Sequence, residues 1–222
     1  MREAFDEQLR GLLERIMEMG GLAEKMLGDA VAGLLDEDED AFSRVREAEV
    51  RVNQLHLDID NAAISLTIQQ QPVARDVRMI FVASRCAADV ERVGDQAVNI
   101  SDSSRHYLET FADGRSMVPP QLAELASAAR AALADALTAL VTRDVALAEL
   151  VLRGEPTVDD LRDTVFKELL YEMITRPAAS SSALSLLLIS RNLERVGDHA
   201  TNIAEELIYL VNGSDIRHGR TG

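Results

Sequence analysis

A ten-residue motif occurs twice in this chain of 222 residues. The segment ERVGDQAVNI, which begins at Glu91, recurs at Glu194 as ERVGDHATNI, with eight of ten positions identical and an offset of 103 residues. A repeat of this kind is the sequence signature of two similar structural units. The two X-Pro steps, Gln71-Pro72 and Arg176-Pro177, interrupt each half at a similar place and support a duplication.

Apolar residues recur at spacings of three and four along both halves, a pattern typical of amphipathic helices, and no strand alternation is found. The stripes run over residues 5–34, 45–66, 73–108, 122–140, 158–173 and 184–207. The segment 112–120, with Gly114 and the pair Pro119-Pro120, favours a boundary between the halves. We therefore predict an all-α fold of two similar three-helix bundles, residues 1–112 and 117–222.

Three local signals give further expectations about the helices. The acidic run 36–40 predicts a turn that leads into and caps the second helix, because carboxylates are favourable at a helix N-terminus. The serines 180–182 predict a cap for the sixth helix. Pro156 is expected either to kink the fifth helix or to start a new one.

The formal net charge of −15 makes nucleic acid an unfavourable partner, because phosphate binding needs a basic surface. It suits metal cations, a basic protein surface, or simply solubility. The single cysteine, Cys86, lies in an apolar run and is expected to be buried, which agrees with a reducing compartment. No signal peptide is found, and no stretch approaches the length of a membrane span, so we expect a cytoplasmic protein without a transmembrane segment.

The repeated motif places oxygen-bearing side chains on one face of each third helix. At about 100° per residue, four such side chains in each half fall within roughly 80° of one another, away from the apolar stripe. They are Glu91, Asp95, Asn99 and Asp102 in the first half and Glu194, Asp198, Asn202 and Glu205 in the second.

A solvated polar face is the ordinary explanation of such a row. Two observations favour a bound cation instead. Like charges four residues apart repel unless a counter-ion neutralises them, yet the arrangement occurs twice. Gly94 and Gly197 lie in mid-helix, where glycine is unfavourable, on the flank where a missing side chain lets another helix approach.

The second helix offers a matching row of Glu49, Asn53, His56 and Asp60, and the fifth helix offers Glu155 and Asp159. Oxygen ligands of this kind suit Mg, Ca, Mn or ferric iron. His56 could add a nitrogen, although a helix-surface histidine is usually solvated. His199 points away from the row beside it, and we do not predict it as a ligand.

The duplicated Glu-Arg-Val-Gly-Asp-x-Ala-x-Asn-Ile resembles the signature of the PhoU family of phosphate-transport regulators. The segment Pro72-Val73-Ala74-Arg75-Asp76-Val77-Arg78 is similar to the one that opens the third helix in that family. The helix plan and the length also match, so the resemblance covers essentially the whole chain.

Membership implies metal ions or multinuclear clusters held on the bundle surface by Glu/Asp-x-x-x-Asp motifs. These map to Glu91 with Asp95, Glu194 with Asp198, and Glu155 with Asp159; Asn53 departs from the pattern where it follows Glu49. Asn99, Asn202, Asp102 and Glu205 could support the ligands from further out. The metal could be Fe, Mn, Mg, Ca or Zn.

The resemblance further implies negative regulation of phosphate uptake and of the phosphate-starvation regulon. The implied partners are the ATPase of the phosphate ABC transporter and a membrane sensor histidine kinase, and a homodimer is expected. We expect no enzymatic activity. The alternatives are a carboxylate-bridged di-metal hydrolase, since clustered acids can hold two ions, and a metal-free helical scaffold.

Overall fold

A computed structural model of the chain describes residues 2–70, 73–110 and 118–213. Six long α-helices and one short 3-10 helix occupy them, and these ranges contain no strand. The all-α prediction is confirmed. The helices are α1 (Arg2–Leu35), α2 (Glu39–Gln70), α3 (Ala74–Thr110), α4 (Pro120–Thr142), α5 (Val145–Thr175) and α6 (Ser180–Asn212), with the 3-10 helix Pro177–Ala179 before α6.

The helices pack as two bundles of three. Helices α1, α2 and α3 contact one another, as do α4, α5 and α6, and the bundles meet mainly along α3 and α6, with α1 beside α4. A continuous core of leucine, isoleucine, valine, alanine and methionine side chains fills both bundles, and Cys86 is buried within it as expected. The six-helix duplicated plan is therefore confirmed. The proposed domain limits, at residues 112 and 117, lie outside the described residues and remain predictions.

Helix ends follow the expected chemistry at two places. The Asp38 carboxylate accepts hydrogen bonds from the backbone N–H groups of Asp40 and Ala41 at 3.1 and 3.2 Å, so the acidic run caps α2 as predicted. Helix α5 ends at Thr175, just before Arg176-Pro177. The Gln71-Pro72 break lies outside the described residues, and α2 ends beside it at Gln70.

The expectation for Pro156 is wrong in one respect. Pro156 lies inside α5, which begins eleven residues earlier at Val145, so it does not start a new helix. The proline ring is exposed. Proline removes the hydrogen bond to the carbonyl four residues earlier, an unfavourable change that the packing of the flanking Val151, Leu152 and Val158 on the core offsets. Apolar periodicity alone placed the start of this helix too late.

The expectation that serines cap α6 is also wrong. Ala179, the last residue of the 3-10 helix, occupies the cap position, and no side chain caps the helix there. Instead, the Ser182 hydroxyl donates to the backbone carbonyl of Thr110 at 3.2 Å and so joins α6 to the end of α3. The 3-10 turn feeds directly into α6, which leaves a serine cap unnecessary.

One helix departs from the expectation that no segment approaches a membrane span. Helix α4 is long and apolar enough, by length and composition alone, to cross a membrane. Its leucines and several alanines are buried against α5 and α6, so within the described residues α4 is a core helix of the second bundle. Its apolar character reflects this burial.

Candidate functional site

Four carboxylates of the second half line a single surface depression. Glu155 and Asp159 come from α5, and Glu194 and Asp198 come from α6; Val158, which lies between the two acids of α5 in sequence, also lines the depression. The cavity volume is about 10 Å³, the space of roughly one water molecule. The sequence prediction that these four residues share one site agrees with this arrangement, although no concave site had been expected from the sequence.

The repeated glycines allow the close approach that forms the depression. Gly197 is buried, and a Cβ atom at its position would lie 3.1 Å from Cγ1 of Val158 on α5. Gly94 has the same role in the first half, where a Cβ atom would lie 3.3 Å from Cγ1 of Val52 on α2. Helix α6 and helix α3 therefore each meet the preceding helix at a glycine, which brings the acidic side chains of both helices to one surface.

The charges in the depression are only partly balanced. Desolvation raises the pKa of Asp198, and the nearby carboxylates of Glu194, Asp159 and Glu155 raise it further. Asp198 nevertheless remains exposed. Arg162 of α5 is the counter-charge: its guanidinium donates a hydrogen bond to the Glu194 carboxylate, with 2.8 Å between Nη2 and Oε1.

These four acids share a depression but do not converge on one point. Within residues 2–70, 73–110 and 118–213, no three carboxylate, imidazole or thiol side chains are placed to hold one metal ion. The four acids therefore share one surface depression, and ligation of a single ion by them requires changes of carboxylate rotamer.

In the first half the corresponding acids are paired with arginines. Arg46 of α2 donates to both carboxylate oxygens of Asp102 on α3, at 2.7 Å each, and lies 3.6 Å from Glu49. Arg92 lies 3.7 Å from Glu91 and 3.6 Å from Asp95. Asn53 is exposed and neutral. This half therefore presents fewer carboxylates and more arginines than the second.

The four residues predicted to support the ligands from further out lie in different environments. Asn99 and Asp102 lie on the exposed face of α3 as predicted. Asn202 is exposed too, but its amide donates to Asp89 of α3 at 3.1 Å, toward the other bundle. The outward placement of Glu205 is wrong, because this residue is 8% exposed. Helix α6 packs on α3 as well as on α4 and α5, so its last turns have little solvent face.

The histidines near the acidic rows, His56 and His199, each lie beside an aspartate. Nδ1 of His199 lies 2.9 Å from Oδ1 of Asp89, so this imidazole is engaged across the α3–α6 contact and not in the depression, as the sequence predicted. His56, considered for the first-half row, lies 3.8 Å from Asp60 on its own helix.

Sequence reasoning did not identify the arginines that accompany these acids. Arg162 follows Asp159 by three residues and Glu155 by seven, so helical spacing placed it on the acidic face of α5. Arg46 precedes Glu49 by three residues and was recognisable by the same rule. The signal was present in the charge spacing of both helices.

Comparison with known proteins identifies relatives of the whole chain. The PhoU domain family matches residues 16–104 and again residues 122–207, one match in each bundle. The Pseudomonas aeruginosa (strain PAO1) protein described as a phosphate-specific transport system accessory protein PhoU homolog is 35% identical over 216 residues, which covers 97% of this chain and 88% of the relative. The Escherichia coli (strain K12) phosphate-specific transport system accessory protein PhoU is 32% identical over 214 residues, with 96% and 88% coverage.

Solved structures agree with the fold. The crystal structure of PhoU from Pseudomonas aeruginosa superposes with a TM-score of 0.90 at 34% identity, over 95% of this chain and 100% of that one. The phosphate transport system regulatory protein PhoU from Streptococcus pneumoniae gives a TM-score of 0.86 over 95% and 98% of the two chains. At 22% identity the second likeness concerns the fold alone.

Proposed function

The chain belongs to the PhoU family, and on that premise we propose that it is a cytoplasmic, metal-binding negative regulator of phosphate uptake and of the phosphate-starvation regulon. The observation that supports this most is the family match in both bundles, together with relatives described as accessory proteins of the phosphate-specific transport system. Those relatives are described as accessory proteins and not as enzymes, which supports a regulatory role without turnover.

The acidic depression is the proposed metal site. Carboxylate oxygens are the ligands preferred by hard cations, and four of them surround a space of about one water molecule. The residues present therefore fit an ion such as Mn, Mg, Ca or ferric iron, with Zn less favoured by an all-oxygen set. Glu155, Asp159, Glu194 and Asp198 would hold it. A bound cation would neutralise the repulsion among these carboxylates that, after desolvation, raises the pKa of Asp198.

The first half is proposed as a second, weaker site on Glu49, Glu91 and Asp95, with Asn53 as a neutral oxygen donor. Arg46 and Arg92 lie within 4 Å of these carboxylates and would compete with an incoming ion. Charge count in an oxygen site governs its affinity for a hard cation. The second half, with four acids and one arginine, is therefore expected to bind more tightly.

A di-metal hydrolase remains the alternative function, and one observation weighs against it. Catalytic metal sites need an enclosed space for a substrate as well as for the ion. The depression in the second half has room for roughly one water molecule and lies at the surface. An ion that stabilises or reshapes the α5–α6 surface for a partner suits this geometry better. Assays of phosphate-ester turnover with added Mn²⁺ separate the two functions.

The proposed partners are the ATPase of the phosphate ABC transporter and a sensor histidine kinase. The support is the description of the relatives as accessory proteins of the phosphate-specific transport system. The acidic surface of this chain, with a net charge of −15, suits a basic surface on either partner.

A homodimer is also proposed, and the ends of two helix hairpins offer its surface. Ile64, Ile68 and Phe81, at the end of α2 and the start of α3, are 56–73% exposed and border a groove of about 420 Å³. The segment 61–74 contains no charged residue. Patches of this kind mark interaction sites, and an uncharged patch lets two acidic copies meet without charge repulsion across it.

The second half repeats this apolar end. Leu170, Ile174 and Leu184 occupy the equivalent ends of α5 and α6 and are 43–71% exposed, and the segment 177–190 is also without charge.

Sedimentation velocity tests whether these apolar ends form the dimer surface: Ile68→Asp with Ile174→Asp should shift a dimer to monomer. Val50→Asp, at an exposed valine of α2 outside the patch, should not. A wild-type monomer at tens of micromolar would contradict the homodimer.

Two experiments test the function as a whole. A deletion in the host should raise phosphate uptake or derepress phosphate-starvation genes in rich phosphate; normal repression, in a genome with no second copy, would contradict the regulatory role. Elemental analysis of the purified protein should find metal that an Asp95→Ala, Asp198→Ala double variant lacks. Unchanged metal content in that variant would contradict the assigned ligands.

A further inference from the structure

Arg162 occupies a central position in the second-half site. Its Nη2 lies 2.8 Å from Oε1 of Glu194 on α6, and its Nη1 lies 2.6 Å from Oδ1 of Asp163 on its own helix. The side chain is 32% exposed and that of Glu194 is 21% exposed, so the pair is partly shielded from solvent. Arg162 thus joins α5 to α6 at the acidic depression.

The pKa of Arg162 shows which acids interact with its guanidinium. Burial acts to lower the pKa of Arg162, but the charges of Glu194, Asp163 and Asp159 outweigh it, so the net pKa is raised. Two of these three acids line the depression. An arginine stays protonated under all physiological conditions, so this positive charge is permanent.

The ion pair between Arg162 and Glu194 also explains why the four acids do not converge on one point. Four acids line one depression, yet in the described part of the chain no three ligating side chains are placed around a common point. A carboxylate that accepts a hydrogen bond from a guanidinium is oriented by it. One oxygen of Glu194 is directed at Arg162 on α5, so Glu194 is not free to turn toward the remaining acids.

We infer that Arg162 is the built-in counter-ion of the second-half site, and that a divalent cation binds there only by displacing the Arg162 guanidinium from Glu194. This inference rests on the proposed function, because it concerns the proposed metal site. The cation and the guanidinium compete for one carboxylate. Metal binding therefore also releases a cross-link between α5 and α6, which couples occupancy of the site to the contact between these two helices.

The first half has no arginine at the position that corresponds to Arg162. Arg162 lies seven positions after Glu155, and the residue seven positions after Glu49 is His56. His56 lies 3.8 Å from Asp60 on its own helix, whereas Arg162 bridges to the next helix. Arg46 also bridges from α2 to α3, but it bridges to Asp102 and not to Glu91 or Asp95. Release of an arginine from a proposed ligand on the next helix is therefore specific to the second half.

Calorimetric titration with Mn²⁺ tests the inference. An Asp95→Ala background removes the first-half site, so the titration reports the second half. In this background Arg162→Gln should bind Mn²⁺ roughly fivefold more tightly or better, the size expected for loss of one competing ion pair. Arg162→Lys keeps the charge and should stay close to the parent. The matched control is Arg153→Gln, at an exposed arginine of the same helix that pairs with Glu149 outside the depression.

Thermal unfolding gives a second readout. Without metal, Arg162→Gln should melt below the parent, because Glu194 and its neighbours then repel without a counter-charge, and Mn²⁺ should raise its melting temperature more than it raises that of the parent. Equal or weaker Mn²⁺ binding by a folded Arg162→Gln variant would overturn the inference and leave the metal site in place. If wild type and every variant fail to bind Mn²⁺, the proposed metal site fails, and the inference with it.

Discussion

Gly197→Ala should destabilise the protein although alanine favours helices. In the middle of a helix this exchange normally stabilises by about 0.5–1 kcal/mol. Here the added Cβ atom would lie 3.1 Å from Cγ1 of Val158 and 3.7 Å from its Cβ and Cγ2 atoms. Val158 is 6% exposed, and its β-branched side chain has one strongly preferred χ1 rotamer in a helix. Overpacking of this kind costs about 1–3 kcal/mol, so we expect a net loss of about 1 kcal/mol.

The matched control is Gly154→Ala on α5. Gly154 is exposed, and a Cβ atom there would meet nothing within 4 Å, so this variant should gain about 0.5–1 kcal/mol. Urea unfolding measures both variants, with equal m-values as the condition for comparison. Val158→Ala in the Gly197→Ala background should relieve the clash, and a double-mutant cycle measures the coupling between the two positions. A Gly197→Ala variant as stabilised as Gly154→Ala would refute the argument that this glycine lets α5 approach α6.

Three further predictions follow from the charges and helix ends. Asp198→Asn should stabilise the metal-free protein in thermal unfolding, because desolvation and neighbouring acids raise the pKa of Asp198 and so disfavour its ionised form. The same variant should bind Mn²⁺ more weakly. A lower melting temperature of metal-free Asp198→Asn would contradict this prediction. Asn53→Asp should tighten Mn²⁺ binding in the first half, measured by titration in an Asp198→Ala background; unchanged affinity would show that residue 53 is not a ligand. The hydrogen bond from Arg44 lowers the pKa of Asp38 in the folded protein. The ionised Asp38 carboxylate therefore stabilises the fold above its unfolded-state pKa, and this stabilisation is lost as the pH falls through the lower folded pKa. The free energy of unfolding of Asp38→Ala should accordingly depend less on acid pH than that of the wild type.

The duplicated architecture could be predicted because its signals are local and occur twice. The motif at Glu91 and Glu194, the glycines within it and the apolar spacing each depend on residues close in sequence. The same spacing placed Glu194 with Asp198 and Glu155 with Asp159 on facing helices, and both pairs line one depression. Helical periodicity is reliable for long, regular segments of this kind.

The features that were predicted wrongly or missed depend on tertiary packing. Pro156 lies inside α5 because core contacts on both sides of it offset a locally unfavourable residue. Glu205 is buried because α6 packs on two sides, which the periodicity of one helix does not reveal. The role of Arg162 depends on its reach from α5 to α6, and only its position on the acidic face of α5 could be foreseen.

Titration of crystals with Mn²⁺, followed by anomalous diffraction at successive concentrations, tests the central claim most directly. The account predicts that the second-half site fills first, on Glu155, Asp159, Glu194 and Asp198, with the Arg162 guanidinium moved away from Glu194. The first-half site at Glu49, Glu91 and Asp95 should follow only at higher concentration, because Asn53 contributes no charge there. Metal in the first half while Glu194 and Asp198 remain without it would contradict the account.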